Sequence, residues 1–233
     1  MIQIFSLYRR ADGLTAEQFL EKLTEAVRGL DDKPAIFGYD VQKPQPIPAR
    51  KDIVQLDIPT DIDAFVEVWV ESVDSYNAFL QSESAAEWRA ALSQLARDGK
   101  TLILDEHPKI PVPTPRPPRR NNAFLSRNPR FETLEDFRHE WHVGHGDMCF
   151  TVPHQRGFMP CDVVGEVPQF DLPEMPATQI DGIAQAWFDS EEDEYRMVAT
   201  PEAKEWFKHG ATTFGYIKAF GASETIYKKP ETR

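Results

Sequence analysis

Long apolar runs are missing from this chain of 233 residues. No stretch approaches the roughly 20 residues that a membrane-spanning helix needs, so no membrane association is expected. The opening MIQIFSLYRR puts apolar residues before basic ones and offers no small-residue cleavage site, unlike a secretory leader. A cytoplasmic protein is the expectation. Cysteine is scarce too: Cys149 and Cys161 cannot build a metal cage of their own, and in that compartment they read as free thiols. Positive charge is short, with 26 Lys and Arg against 38 Asp and Glu and a formal net charge of −12. Phosphate recognition needs concentrated cations, so a nucleic-acid partner is not expected. Apolar and aromatic residues are plentiful: 41% hydrophobic content with 15 Phe and 5 Trp describes a folded chain, large enough for one domain or two small ones.

The sharpest break is PKIPVPTPRPPRRNN at 108–122. Prolines at this density favour an extended connector, and its basic run RPPRR at 116–120 reads as solvated. The expected organisation is a first module over 1–110, a Pro-rich linker over 111–120 and a second module over 121–233. An offset of 118 aligns the two halves. It pairs Leu7 with Leu125, Arg9 with Arg127, Thr15 with Thr133 and Phe19 with Phe137; further on it pairs Asp63 with Asp181, Trp69 with Trp187 and Trp88 with Trp206.

Each half reads strand, helix, strand, strand, helix, strand. Thr15 and Thr133 are placed to cap the first helix of each. The predicted fold class is α+β: tandem ferredoxin-like modules (β-α-β-β-α-β each) whose antiparallel sheets pack into a pseudo-dimeric α+β barrel. The linker would supply in one chain the partner that a single module gains by dimerising. Exposed edges and helices leave room for a further homodimer.

Residues 139–147, HEWHVGHGD, hold three histidines. A zinc-protease helix needs H-E-x-x-H, but Val143 stands where the second histidine belongs. The i, i+3 spacings His139/His142 and His142/His145 can hold a metal only with a ligand from elsewhere, so no metal is expected. At about 100° per residue, Leu134, Phe137, Trp141 and His145 share one apolar stripe, with His142 roughly 60° away and His139 nearer solvent. The matching residue in the first half is Val27. The fold therefore does not require a histidine at 145, and an imidazole in an apolar site is costly unless it has a partner or a task. His142 and His154 are weaker catalytic candidates. Asp147 could orient His145. Cys149 lacks the surroundings of a nucleophile, and the acidic run at 190–194 reads as a solvated helix start.

FRHEWHVGH, with Phe137, Trp141 and His145 at four-residue steps, resembles the EthD-like branch of the dimeric α+β barrel proteins. The resemblance extends through Leu125-Ser126-Arg127, the turn Arg156-Gly157-Phe158 and the strand GIAQAWFDS, covering most of 121–225. It implies a small, often cofactor-free barrel with an apolar pocket between sheet and helices, and it carries the family's acid/base role to His145 alone. Relatives are cyclases, dehydratases, decarboxylases, isomerases or oxygenases of ring compounds.

The expected function is therefore a cofactor-independent lyase or isomerase acting on a small apolar oxygenated ring compound, in aromatic catabolism or polyketide-like metabolism. His145 would move a proton beside a carbonyl or hydroxyl. Trp141, Phe137 and Phe158 would shape the pocket, and His142, His154 or Arg156 would hold a substrate oxygen or carboxylate. The alternatives are an oxidative enzyme (a cofactor-free monooxygenase, or a haem enzyme with His145 as axial ligand) and a non-enzymatic small-molecule binder.

Overall fold

In a computed structural model, which describes residues 1–168 and 171–230, eight long strands close into one barrel. The first half contributes β1 (Ile2–Arg10), α1 (Ala16–Arg28), β2 (Ile36–Pro46), the short β3 (Val54–Gln55), β4 (Ala64–Val70), α2 (Val73–Gln81), α3 (Ala86–Leu95) and β5 (Ala96–Glu106). The second contributes β6 (Arg119–Arg127), α4 (Leu134–His139), β7 (Gly157–Val167), β8 (Gly182–Phe188), α5 (Glu191–Ala199), α6 (Pro201–Thr213) and β9 (Phe214–Lys228). Strand order around the barrel is β2-β4-β1-β5-β7-β8-β6-β9, and β9 returns to β2. Each half thus orders its four long strands second, third, first, fourth, the ferredoxin-like arrangement. The halves join through hydrogen-bonded seams, β5 with β7 and β2 with β9, so the barrel wall is continuous rather than two sheets merely facing each other.

Local chemistry explains the shared elements. Thr15 and Thr133 cap α1 and α4, and Ser72 and Ser190 cap α2 and α5 in the same way. The second helix of each half is broken in two, by Ser82–Ala85 and by Thr200-Pro201, where proline starts a new helix at no hydrogen-bonding cost.

The offset of 118 holds from the helices onward but slips in the first strand. Ile2 pairs with Val70, whereas Arg119 pairs with Phe188. The equivalent residues are therefore Tyr8/Leu125 and Arg10/Arg127, not Leu7/Leu125 and Arg9/Arg127. Arg10 and Arg127 both present their backbone N–H to the equivalent aspartate, Asp63 or Asp181.

The basic run also departs from expectation. Strand β6 begins at Arg119, inside the expected linker; Arg119 and Arg120 are buried and Arg116 is partly buried, instead of solvated. Their partners explain why. Arg120 pairs with Glu67, which is 0% exposed inside the barrel and also accepts from Gln3, Gln42 and Gln185 at 2.8, 3.0 and 3.1 Å. Arg116 pairs with Asp40 at 2.8 Å beneath the rings of Trp187 and Tyr227. Burial pushes the Glu67 carboxyl up, against the pull of Arg120. Elsewhere the barrel interior is apolar, with Phe5, Phe65, Phe124 and Phe220 in edge-on and tilted contact.

Among the described residues, no helix is long and apolar enough to cross a membrane.

Candidate functional site

Between sheet and helices the two halves differ sharply. In the first, Ile4, Tyr8, Val66 and Val68 pack against Phe19, Leu23 and Val27, and the cavity there measures only about 40 Å³. In the second, the equivalent sheet positions are Asn121, Leu125, Ala184 and Ala186, and Val27 is replaced by His145. Smaller side chains on the sheet leave space that the helices do not fill. The result is a cavity of about 530 Å³, large enough for a small organic molecule.

Its walls are Ala123, Ala184 and Ala186 on the sheet, Phe158 and Phe188 beside them, and Met197, Trp206 and Phe207 on α5 and α6. The roof comes from the other half. Residues 46–50, with Gln55 and Thr60, cross from the end of β2, tied down where β3 pairs with β9 and where the Leu56 N–H donates to the Ile217 carbonyl at 3.1 Å. The corresponding connection after β7 sends Leu172 into the core of the first half.

His145 reaches the cavity from an unusual backbone. Helix α4 widens into a π-helical turn over Glu140–His145, followed by a 3₁₀ turn over Gly146–Thr151. Such turns interrupt helices most often at functional sites. The imidazole is 5% exposed and lies nearly parallel to the rings of Trp206 and His209, with centroids 5.3 and 5.6 Å away. Gly210 keeps the approach open, because a β-carbon there would stand 3.1 Å from His145 Cε1. Nδ1 of His145 has no hydrogen-bond partner among the described residues. Burial, and secondarily the charges of His209 and Arg50, lower its pKa to about 3, so the imidazole is neutral near pH 7.

Polar groups are few and spaced around the rim. Arg50 leans over the Phe207 ring, donates to the Phe207 carbonyl at 2.7 Å and is paired with the exposed Asp52. Half-buried Lys218 donates to the Ile58 carbonyl at 2.8 Å, and burial lowers its pKa. The amide of Gln155 has both its oxygen and its nitrogen buried without a partner. Glu194 is already engaged, by Arg119 and Asn121 at 2.7 Å each.

Of the sequence-predicted residues, His145 and Phe158 line this cavity. Phe137 and Trp141 are fully buried in the layer beside it, stacked on each other, with Trp141 pressed against Gly182. His142 faces away, its Nε2 3.0 Å from Asp162. His154 is exposed, in a tight turn at φ 66°, and Arg156 makes an exposed pair with Asp189. Cys149 is buried and its thiol pKa is pushed up to about 11, while Asp147 pairs with Lys109 instead of His145. Arg50, Lys218 and Gln155 were not anticipated. Gln155 stands between two residues that were singled out, but Arg50 lies 95 positions from His145 and no local pattern links them.

Comparison with solved structures bears on the whole chain. A candidate monooxygenase from Fusobacterium nucleatum superposes with a TM-score of 0.63 at 8% identity, covering 99% of this chain and 95% of that one. An anthrone oxidase-like protein superposes with a TM-score of 0.61 at 9% identity, covering 97% and 92%. The chain has the α+β barrel fold of these proteins. At such identities the likeness concerns the fold of the barrel alone. The family match falls in the half that holds His145. Residues 121–228 match the family model described as methylmuconolactone methyl-isomerase. A 4-carboxymethyl-4-methylbutenolide mutase from Pseudomonas reinekei is 29% identical over 103 residues, which is 44% of this barrel chain and 95% of that protein.

Proposed function

We propose that the chain is an isomerase of small oxygenated ring compounds, and more specifically of unsaturated lactones that carry a carboxylate. The observation that carries this reading is the coincidence of two boundaries. The segment that matches the methylmuconolactone methyl-isomerase model, residues 121–228, supplies His145 and most of the cavity wall.

The chemistry fits one neutral imidazole. An isomerase conserves atoms, so a single base can take a proton and later return it. In the proposed route, His145 takes a proton from the carbon next to the side-chain carboxylate. The electron pair of the broken C–H bond becomes a C=C bond, and the ring C–O bond breaks to release the ring oxygen as a second carboxylate. The other carboxylate, formerly the side chain's, then adds through one oxygen to the diene carbon β to the released carboxylate, while the imidazolium returns its proton to the carbon next to that released carboxylate. The product is a lactone with the same atoms and a displaced substituent. An elimination of the lyase type thus forms half of an isomerisation.

Arg50 and Lys218 stand at the rim as cations for the carboxylates, and the unpartnered Gln155 amide can donate to the ring carbonyl. Anionic substrate would also offset the Arg50 charge felt by His145 and raise its basicity toward what proton abstraction needs.

Incubation with 4-carboxymethyl-4-methylbutenolide in D₂O, followed by NMR, tests the proposal. An isomeric lactone with deuterium at the reprotonated carbon and no uptake of dissolved oxygen is expected. Failure to convert any carboxylated butenolide, or unchanged turnover in His145→Gln, would overturn it.

A further inference from the structure

A second cluster lies on the opposite side of the π-helical turn, at the seam between the halves. His107 directly follows β5, Asp162 lies on β7 opposite Asp105, and His142 projects from the turn. One donor atom from each of His107, His142 and Asp162 lies within 4.8 Å of the others. Nε2 of His142 is 3.0 Å from Asp162 Oδ1, and Nε2 of His107 is 3.4 Å from Asp162 Oδ2. The two imidazole rings are 4.4 Å apart, and both His107 Nε2 and His142 Nδ1 are buried without a hydrogen-bond partner among the described residues.

From this arrangement we propose that His107, His142 and Asp162 bind a divalent transition cation of the zinc type. Two imidazoles and a carboxylate are borderline ligands suited to Zn²⁺. Ligand atoms about 2.0–2.1 Å from one tetrahedral ion stand roughly 3.4 Å from each other; His142 Nε2 and Asp162 Oδ1 are 3.0 Å apart, and one donor atom from each of the three residues lies within 4.8 Å of the others. The Asp162 side chain is 7% exposed and that of His142 17%, so two ligands are held by the fold, while His107 at 38% leaves an entry path. Asp105 Oδ2, 3.4 Å from His107 Nε2, stands on that open side as a further carboxylate. One group opposes the cation: Arg138 Nε is 3.2 Å from Asp162 Oδ2, which leaves Oδ1 as the oxygen free for the metal. The spacing of His142 from its neighbouring histidines allows a metal only with ligands from elsewhere, and the barrel brings two.

A bound ion would connect the end of a first-half strand to a second-half strand and to the turn that carries His145. It would tie the seam without touching the cavity. The inference stands apart from the isomerase reading.

The test uses the full chain, stripped with a chelator and titrated with ZnCl₂ by calorimetry and with CoCl₂ by visible absorption. One saturating equivalent of Zn²⁺ per chain and the absorption bands of low-symmetry Co²⁺ are expected. His142→Ala, Asp162→Asn and the edge variant His107→Ala should each weaken binding at least tenfold, and His139→Ala and His154→Ala should leave it unchanged. Circular dichroism checks that each variant folds, and His107→Ala, at the exposed edge, remains informative if the buried variants do not. Absence of a saturable equivalent, or binding that His107→Ala leaves intact, would overturn the proposal and leave Asp162 as a hydrogen-bonded partner of Arg138 and the histidines.

Discussion

Trp206 holds His145 twice, by its ring and by its nitrogen. The indole lies nearly parallel to the imidazole, with centroids 5.3 Å apart, and its Nε1–H donates to the His145 backbone carbonyl at 3.1 Å. Both the position and the tilt of the histidine are therefore set from α6.

His145→Val restores the residue that the first half carries at Val27 and leaves no buried polar group. Folding should be retained, and isomerase turnover should fall by at least about 100-fold, the usual scale of a lost acid/base group. Steady-state kinetics beside a thermal melt would check this; a variant with near-normal kcat would remove His145 from the chemistry.

The low pKa of the same residue makes stability depend on pH. The unfolded chain takes up a proton near 6.5 and the folded chain only near 3. Between these values the unfolded state binds more protons, so stability falls as pH drops from about 6.5 toward 3, by about 1.4 kcal/mol per pH unit from this group. Urea titrations across that window should show a shallower decline for His145→Val than for the parent.

Arg50 offers charge-assisted hydrogen bonds to a substrate anion, each worth roughly 1.5–3 kcal/mol. Arg50→Ala should raise KM by about 10- to 100-fold with a smaller change in kcat, and Arg50→Lys should recover part of the loss. An unchanged KM for a carboxylated lactone would mean that the first-half loop roofs the cavity without binding.

Glu67 is the shared acceptor at the polar end of the barrel. Glu67→Leu leaves the buried Arg120 with the more distant Asp40 as its remaining counter-ion, and the expected loss is about 3–5 kcal/mol. Equilibrium unfolding would measure it; a loss under about 1 kcal/mol would mean that Asp40, 3.5 Å from Arg120, suffices.

Gly182 faces the Trp141 ring, and an added β-carbon would sit 2.3 Å from Trp141 Cη2. Gly182→Ala should destabilise the second half by about 1–3 kcal/mol through overpacking, seen as a lower Tm.

What the sequence reveals follows how locally each feature is determined. The caps at Thr15 and Thr133 and the order of elements are set by nearby residues, and they could be read. The comparison of His145 with Val27 located a buried imidazole because α1 and α4 begin in equivalent registers. The pocket-lining role expected of Trp141 and Phe137 came from the same stripe, but the sheet beneath them is tightly closed over Gly182 and the open space lies toward α5 and α6. Alanines at 184 and 186, in the places equivalent to Val66 and Val68, mark that space in the sequence. Arg50, the burial of Arg119 and Arg120, and the meeting of His142 with His107 and Asp162 depend on barrel closure, which joins residues far apart along the chain.

The two connections that cross between halves behave differently: one lays Arg50 over an open cavity, and the other inserts Leu172 into a filled core. In an assembly of identical subunits this could not happen, because any substitution that roofs one cavity appears at both. Joining the halves in one polypeptide breaks that symmetry. One half is free to specialise as scaffold and roof, the other keeps the open cavity, and closing the barrel does not depend on protein concentration.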